Sequence, residues 1–498
     1  MRGRRGAVLC ARAIAWGCSS GQAFAAEISI EGEQLTRSSQ HMVEVNDAQA
    51  SGGKALKLLN NDRASWTFTS GTHFKRVLLT LRGVQCGNPP QPHVEVELDG
   101  AVIWPSNISA VGNYVLYEGF AEMPPKDANS DGQPDPRTLA VHMTNDFNQQ
   151  GLPPLIPSCS RDLFVDKVWL KDMPSLFAPD SYVNQPLPDN APIDQDSLTY
   201  VDWLDNYLDG EFGDSPRYVN HKNWSTSFYI VPNQQARVQV YFNDMHEHSS
   251  PIPEVRQSLE QQWSDVPLPP DAESADMNEG AGRDKHLVVY QPETDTMWEF
   301  FYFKPDPLQG NRPEAVYGGR MPNVSQNPGH FTDPPGSGYG ATATSIPILA
   351  GLQTIDELLA GEINHVVQFI VPNVQEGFCR WPAQRTDGNQ NWLYGDALPE
   401  GIRFRLPASM NLDAYEAEKD MSDYGRMVAE AVQDYGMVLI DGGGNFAFRA
   451  EDPLQLETDP YPNEIFDGET IGGPNGVLRN FPFDKLVALA DTSGQPCS

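Results

Sequence analysis

Basic residues are scarce in this chain. Its 498 residues carry 34 Lys and Arg against 67 Asp and Glu, a formal charge of −33. Backbone recognition of nucleic acid needs clustered Lys and Arg, so no nucleic-acid partner is expected, and adhesion to an anionic bilayer is disfavoured. Long apolar runs are missing too. Past the N-terminus no stretch reaches about 18 apolar residues, so no membrane span is expected. There are six cysteines, with no Cys-x-x-Cys or Cys/His spacing that would hold zinc. No Lys-Ser/Thr follows Gly442-Gly443-Gly444, so that run is not a phosphate loop. No Gly-x-Ser-x-Gly falls between a strand and a helix, which argues against an α/β-hydrolase. What is present is an acidic chain with 39% hydrophobic residues, enough to build cores. Its length predicts two or three domains.

The first residues read as an address. Arg2, Arg4 and Arg5 precede a modest apolar stretch from Ala7 to Gly17, and Ala23-Phe24-Ala25 offers a small-x-small cleavage site. Residues 1–26 are therefore expected to be a signal peptide and the protein to be secreted, extracellular or periplasmic. A lipid anchor at Cys18 is the alternative. Cys10 and Cys18 would leave with the signal, and Cys86, Cys159, Cys379 and Cys497 would meet an oxidising compartment. Three pairings are open; shared location favours Cys86 with Cys159 and Cys379 with Cys497.

The fold class is expected to be mainly β. Residues 27–172 carry short runs that alternate at period two, such as Val77–Leu81, Val94–Leu98 and Leu163–Trp169, which predict a jelly-roll-like antiparallel sandwich. Asp99-Gly100 marks a hairpin turn. Residues 173–200 hold Pro174, Pro179, Pro186, Pro188 and Pro192 and read as an extended, semi-rigid linker. Residues 201–498 form a larger β-rich domain with a few helices. Its strand-like runs are Ser227–Val231, Arg237–Phe242, His286–Tyr290 and Trp298–Phe303. Helices are expected at Thr354–Leu359 and Met427–Val432, the second stopping near Gly436. A buried strand over Met437–Asp441 follows.

The first domain carries a candidate calcium loop. Asp127, Asn129, Asp131 and Asp135 place side-chain oxygens at positions 1, 3, 5 and 9, with Gly132 at position 6. Calcium takes six to eight hard oxygens, and a tight loop needs glycine at its reversal. Thr138 stands at position 12, so the EF-hand pattern is incomplete, and a polar turn is the plain alternative.

Two further segments, Thr144-Asn145-Asp146-Phe147 and Ser160-Arg161-Asp162-Leu163-Phe164-Val165-Asp166, resemble the signature of calcium-dependent xylan-binding modules of carbohydrate-binding families 36 and 60. The resemblance covers most of residues 27–172. It implies a β-sandwich whose Ca2+ is contacted by vicinal sugar hydroxyls, with xylan or a related plant glycan as partner. It also implies Asp146 as a calcium and sugar ligand. The family's leading acid falls on Ser160, so Asp162 is expected to supply the charge. Trp104, Tyr114 and Tyr117 are candidates for a stacking face.

Residues 220–452 resemble a group of secreted bacterial proteins with no assigned activity, through stretches such as Asp284–Val289, Gly340–Ser345, Gly361–His365 and Pro382–Gly388. The chemistry must therefore come from the residues. His365 beside Glu362 is a candidate general acid or base. Asp284 and Glu299 lie on runs that would pair as a hairpin, and two carboxylates across a groove are what glycoside hydrolysis requires. Asp387 and Asp441 are similar candidates. Trp224, Trp298, Trp381 and Trp392 offer flat faces for sugar rings, and His246-Glu247-His248 is a weak metal pattern. The expected function is a secreted polysaccharide-binding protein with a glycoside hydrolase-like second domain. A polysaccharide lyase using His365 and Arg385, or a non-catalytic surface protein, are the alternatives.

Overall fold

The computed structural model describes residues 27–59, 61–86, 91–111, 113–127, 133–145, 159–209, 216–243, 253–276, 283–305, 312–331, 339–389, 397–456, 458–472, 476–491 and 493, plus the backbone of 148 and 149. It is mostly β.

The N-terminal part is built from β1 (Glu27–Glu31), β2 (Thr36–Arg37), β3 (Val43–Asn46), β4 (Lys54–Leu58), β5 (Arg63–Phe68), β6 (Phe74–Val84), β7 (His93–Leu98), β8 (Ala101–Asn107), β9 (Val115–Met123), β10 (Arg137–Met143), β11 (Asn148–Gln149), β12 (Cys159–Ser160) and β13 (Asp162–Lys171). One sheet runs β3-β4-β13-β6-β9, with β1 also on β13, and a second runs β2-β5-β10-β7-β8. The alternation foreseen in the sequence decides which face is inside. In β7, Val94, Val96 and Leu98 are buried while His93, Glu95 and Glu97 are half-buried on the other face. Leu79, Leu81, Val165 and Val168 of the first sheet pack with Val94, Val96, Leu139 and Val141 of the second. Asp99 and Gly100 both have positive φ, 50° and 89°, and join β7 to β8 in a tight hairpin.

Residues 173–200 differ from a free linker. Phe177 and Val183 are buried in a core of the second domain. Backbone bonds run from Ala178 N to Asn327 O, from Leu187 N to Asp434 O and from Asp194 N to Ala488 O. Proline removes amide donors, but the apolar residues between the prolines still gain by leaving water.

The second domain contains α1 (Ser197–Asp209), β14 (Arg217–Asn220), β15 (Thr226–Ile230), β16 (Tyr241–Phe242), α2 (Pro253–Gln262), β17 (His286–Gln291), β18 (Thr296–Phe301), β19 (Glu314–Ala315), β20 (Tyr317–Pro322), α3 (Ile355–Ala360), β21 (Val367–Val371), β22 (Val374–Cys379), β23 (Leu398–Glu400), β24 (Arg403–Arg405), α4 (Leu412–Lys419), α5 (Asp423–Asp434), β25 (Met437–Gly442), β26 (Phe446–Arg449) and β27 (Val487–Ala488). A mixed sheet, β14-β26-β21-β25-β24-β27, is the middle layer. On β25, Met437 and Leu439 join the core formed with α1, α3 and α5, whereas Val438 and Ile440 join the core formed with the sheet β15-β17-β18-β20. One strand thus serves two cores through its period of two. The expected hairpin is present: β17 and β18 pair antiparallel, with Val288 opposite Glu299.

The sandwich and the second domain meet through buried charge. Arg76 Nε donates to Glu118 at 2.6 Å and its Nη2 to Glu293 at 2.6 Å. Glu118 also accepts from Asn233 N at 2.8 Å, and its backbone exchanges two bonds with the Gln234 amide. Cys86 and Cys379 are buried. The side chains of Cys159 and Cys497, their expected partners, lie outside the described residues. Among the described residues no helix is long and apolar enough to cross a membrane.

Candidate functional site

The parallel strands β21 and β25 finish at the same edge of the mixed sheet. There the chain runs from Asp441 through Gly442–Gly444 into β26. A cavity of about 940 Å³ opens at this edge, with Tyr218, Trp224, Asp284, Tyr317, Thr342, Arg385, Asp387, Asp441 and Arg449 on its wall. Trp224 stands at the mouth, 38% exposed, with the Arg283 guanidinium 4.6 Å from its ring centre. Several non-glycine residues next to the cavity hold positive φ: Trp224 at 58°, Lys285 at 49° and Ser345 at 62°. Such backbone is costly and collects at sites where side chains must be held in one direction.

The charges are arranged in layers. Asp387, Glu400 and Asp441 bring carboxylate oxygens within 4.8 Å of one another. Part of Asp441 faces the cavity, yet desolvation, joined by the charges of Asp387, Asp284 and Glu400, pushes its pKa well above the carboxylate range. Burial pushes Glu400 up to about 7, and the charge of Asp387 adds to this. Arg449 is buried beside them and donates to His286 Nδ1 at 2.6 Å and Thr226 Oγ1 at 3.1 Å. Because Nδ1 accepts, the His286 ring is neutral, with its proton on Nε2 donated to Ala341 O at 3.1 Å. Burial, reinforced by Arg449, holds the His286 pKa well below its ordinary value. Arg385 donates to Ser345 Oγ at 2.9 Å and Thr342 O at 2.7 Å, fixing the loop that forms one wall.

Three residues singled out as catalytic in the sequence have different fates. Asp284 is on the cavity wall, with its side chain 34% exposed. Glu299 is not on the wall. It is fully buried and accepts from Ala341 N at 2.7 Å and Ile348 N at 2.8 Å, while burial raises its pKa to about 7. It organises the 341–348 loop behind the cavity and is no partner to Asp284 across a groove. His365 does not line the cavity either. Its Nδ1 donates to Val366 O at 2.7 Å and its Nε2 pairs with Glu357 at 3.0 Å, so both nitrogens are engaged. The carboxylate beside it is Glu357, not Glu362. Thr354 caps no backbone amide; its hydroxyl donates to the same Glu357 at 2.9 Å, which ties α3 to the start of β21.

Asp387, Asp441 and Trp224, named from the sequence, all reach the cavity. Trp298 is buried in the core, and Trp381 packs against Tyr182 and His330. Trp392 and His246-Glu247-His248 lie outside the described residues. Glu400, Arg449 and His286 were not anticipated as site residues. Pro399-Glu400-Gly401 reads as a turn, and no local pattern shows that the middle residue is buried beside two aspartates.

In the sandwich the two motif segments come together. Arg161 is buried; its Nη1 donates to Asn145 O, while its Nε and Nη2 reach Cys86 O at 3.0 and 2.7 Å. Asp162 is differently placed from a free ligand: its oxygens take Lys57 Nζ at 2.8 Å and Ser160 Oγ at 2.7 Å. Tyr114 donates to Asp47 at 3.1 Å and lies under Arg82, so its ring is no open stacking face. Tyr117 is buried, and its hydroxyl accepts from Ala110 N at 2.9 Å. Asp127 and Asp135 stand at the two ends of the candidate calcium loop, which the Asp135 N to Lys126 O bond closes at 2.5 Å. Asn129, Asp131 and Asp146 lie outside the described residues. A second group on the sandwich, Glu95, Glu97 and His142, has ligand atoms within 4.8 Å of one another. There Glu97 is already bonded to Arg63 at 2.9 Å.

No family model matches the chain, and no curated protein matches it. Among solved structures, one that is similar is the CBM36-1 domain of a multidomain xylanase from the hindgut metagenome of Trinervitermes trinervoides. The identity is 15%, 29% of this chain and 96% of that one are covered, and the TM-score is 0.22. A carbohydrate-binding module CBM36 in complex with calcium and xylotriose shows 10% identity, 28% and 97% coverage and a TM-score of 0.21. A family 35 carbohydrate-binding module from Clostridium thermocellum shows 10% identity, 29% and 98% coverage and a TM-score of 0.21.

Proposed function

We propose that this is a secreted, polysaccharide-acting protein whose sandwich binds a xylan-type glycan with calcium and whose second domain cleaves glycan in the acidic cavity. The cavity carries the reading. It sets the carboxyl groups of Asp284, Asp387 and Asp441 on one wall and an exposed indole, Trp224, at the mouth. Glycosidic hydrolysis needs a carboxyl group that gives a proton and a carboxylate that attacks or activates water. Asp284, a partly exposed acid on the cavity wall outside the Asp387–Glu400–Asp441 group, is the group assigned to proton transfer. Glu299 holds the loop behind it and touches no substrate. On the sandwich, Asp127, Asn129, Asp131 and Asp135, with Asp146, carry hard oxygens of the kind calcium takes.

The test is incubation of the full chain with a panel of plant and algal polysaccharides, followed by mass analysis of soluble products. New reducing ends are expected, with Asp284→Asn slower by about a hundredfold or more. Products with ultraviolet absorbance from new unsaturation would mean a lyase. Retention on xylan that chelator abolishes, without any product, would leave a binding protein and refute cleavage.

A further inference from the structure

Three acids meet beside the same cavity, Asp387 and Asp441 on its wall and Glu400 buried behind them. Asp387, Glu400 and Asp441 each offer one carboxylate oxygen, and these oxygens all lie within 4.8 Å of one another. Glu400, at the end of β23, is fully buried, and its Oε1 has no hydrogen-bond partner among the described residues. Its Oε2 accepts from Asp387 N at 3.3 Å. A buried carboxylate oxygen without a donor is costly unless a positive charge or a proton reaches it. The nearby guanidinium groups hydrogen-bond to other groups, Arg385 to Ser345 and Thr342, Arg449 to His286 and Thr226, while their charges still act on the acids.

We propose that Asp387, Glu400 and Asp441 are the protein ligands of a hard divalent cation of the calcium class, held in the cavity wall. The geometry is compatible. Calcium binds oxygens at about 2.4 Å, so two of its ligands stand at most about 4.8 Å apart. The donor set is oxygen alone, which suits calcium, magnesium or manganese rather than zinc or copper. Three carboxylates outweigh a double positive charge, and the open side of the cavity leaves room for water to complete the shell. The inference rests on the glycan reading in one respect only: adjacent sugar hydroxyls would replace those waters, and Asp284 would remain for proton transfer.

The experiment uses the full chain, stripped with EDTA and titrated calorimetrically with calcium chloride in the absence of glycan. Wild type is expected to bind calcium at this cluster, and Glu400→Gln, which keeps shape and removes charge, to bind one equivalent fewer. The pair Asp127→Asn/Asp135→Asn, in the sandwich, is expected to keep the cluster's equivalent. Equal stoichiometry and affinity in wild type and Glu400→Gln would overturn the proposal. If Glu400→Gln does not fold, Asp387→Asn on the exposed side of the cluster reads the same equivalent. The melting temperature of Asp127→Asn/Asp135→Asn must still rise with calcium, and no rise overturns the proposal as well. Loss of calcium in Glu400→Gln with no glycan product from wild type keeps the cation and removes the glycan reading. Glycan products with calcium unaffected by Glu400→Gln do the reverse.

Discussion

Arg76→Ala tests whether the sandwich and the second domain act as one body. Arg76 is 2% exposed and Glu118 is 0% exposed. The guanidinium serves Glu118 and Glu293 together, each at 2.6 Å. Removing it leaves the Glu118 carboxylate buried, with the Asn233 backbone amide as the remaining donor to it among the described contacts. Breaking a buried pair from one side typically costs about 3–5 kcal/mol, because the partner keeps its desolvation penalty and loses its attraction. Burial already raises the Glu118 pKa, and losing Arg76 raises it further. A carboxyl whose folded-state pKa is raised gives most stability below its unfolded value of 4.5 and loses it as pH rises through the folded value. The deficit of the variant should therefore be larger at pH 8 than near pH 4.5. Urea unfolding followed by tryptophan fluorescence and far-ultraviolet circular dichroism is the assay. Wild type should show one coincident transition, and Arg76→Ala should unfold earlier with the two signals separated. A midpoint shift worth less than about 0.5 kcal/mol, with signals still coincident, would show that the buried charge couples nothing. Arg76→Met with Glu118→Leu should recover much of the loss, since an apolar pair carries no stranded charge.

His365→Ala should leave glycan turnover unchanged and lower stability by about 1–2 kcal/mol, the scale of a lost hydrogen-bonded pair. Burial pushes the imidazole down, but the charge and hydrogen bond of Glu357 outweigh it and the pKa ends above 6.5. That stabilisation is present below pH 6.5 and fades as pH rises through the folded-state value. The difference from wild type in thermal melts should accordingly be wider at pH 6 than at pH 9; a turnover loss of a hundredfold would return His365 to the site. Gly401→Ala should cost about 3 kcal/mol or more, because φ is 80° there and a Cβ would stand 1.7 Å from Arg380 O. An unchanged urea midpoint would contradict the backbone course that buries Glu400.

The secondary structure was legible wherever periodicity was strong. Val94–Leu98 and Leu163–Trp169 are strands because alternate residues must face water and core in turn, and a pattern of period two records that locally. The helix foreseen around Met427–Val432 is α5, ending before Gly436, whose φ of 83° other residues avoid. The hairpin foreseen from the runs 286–290 and 298–303 is present, paired as Leu287–Gln291 against Thr296–Phe300, with Tyr302 and Phe303 beyond the strand. The run at 237–242 fared less well, with only Tyr241–Phe242 in a strand. Its neighbours bond to segments far along the chain, as Val238 does to Val266.

The site was legible only in part, for a physical reason. Local pattern states which residues want water and which do not, and it found the sandwich, the β-rich second domain and the acids Asp284, Asp387 and Asp441. Whether an acid meets solvent or is walled in depends on segments far along the chain, such as Ala341 and Ile348, 42 and 49 residues from Glu299. Glu299 and His365 look reactive as types, yet distant backbone groups and Glu357 consume their polar atoms. Glu400 looks like a turn residue, yet β25 and the 385–387 segment close over it. Electrostatic energies follow distance through space and the local exclusion of water, and both quantities exist only after the chain has packed.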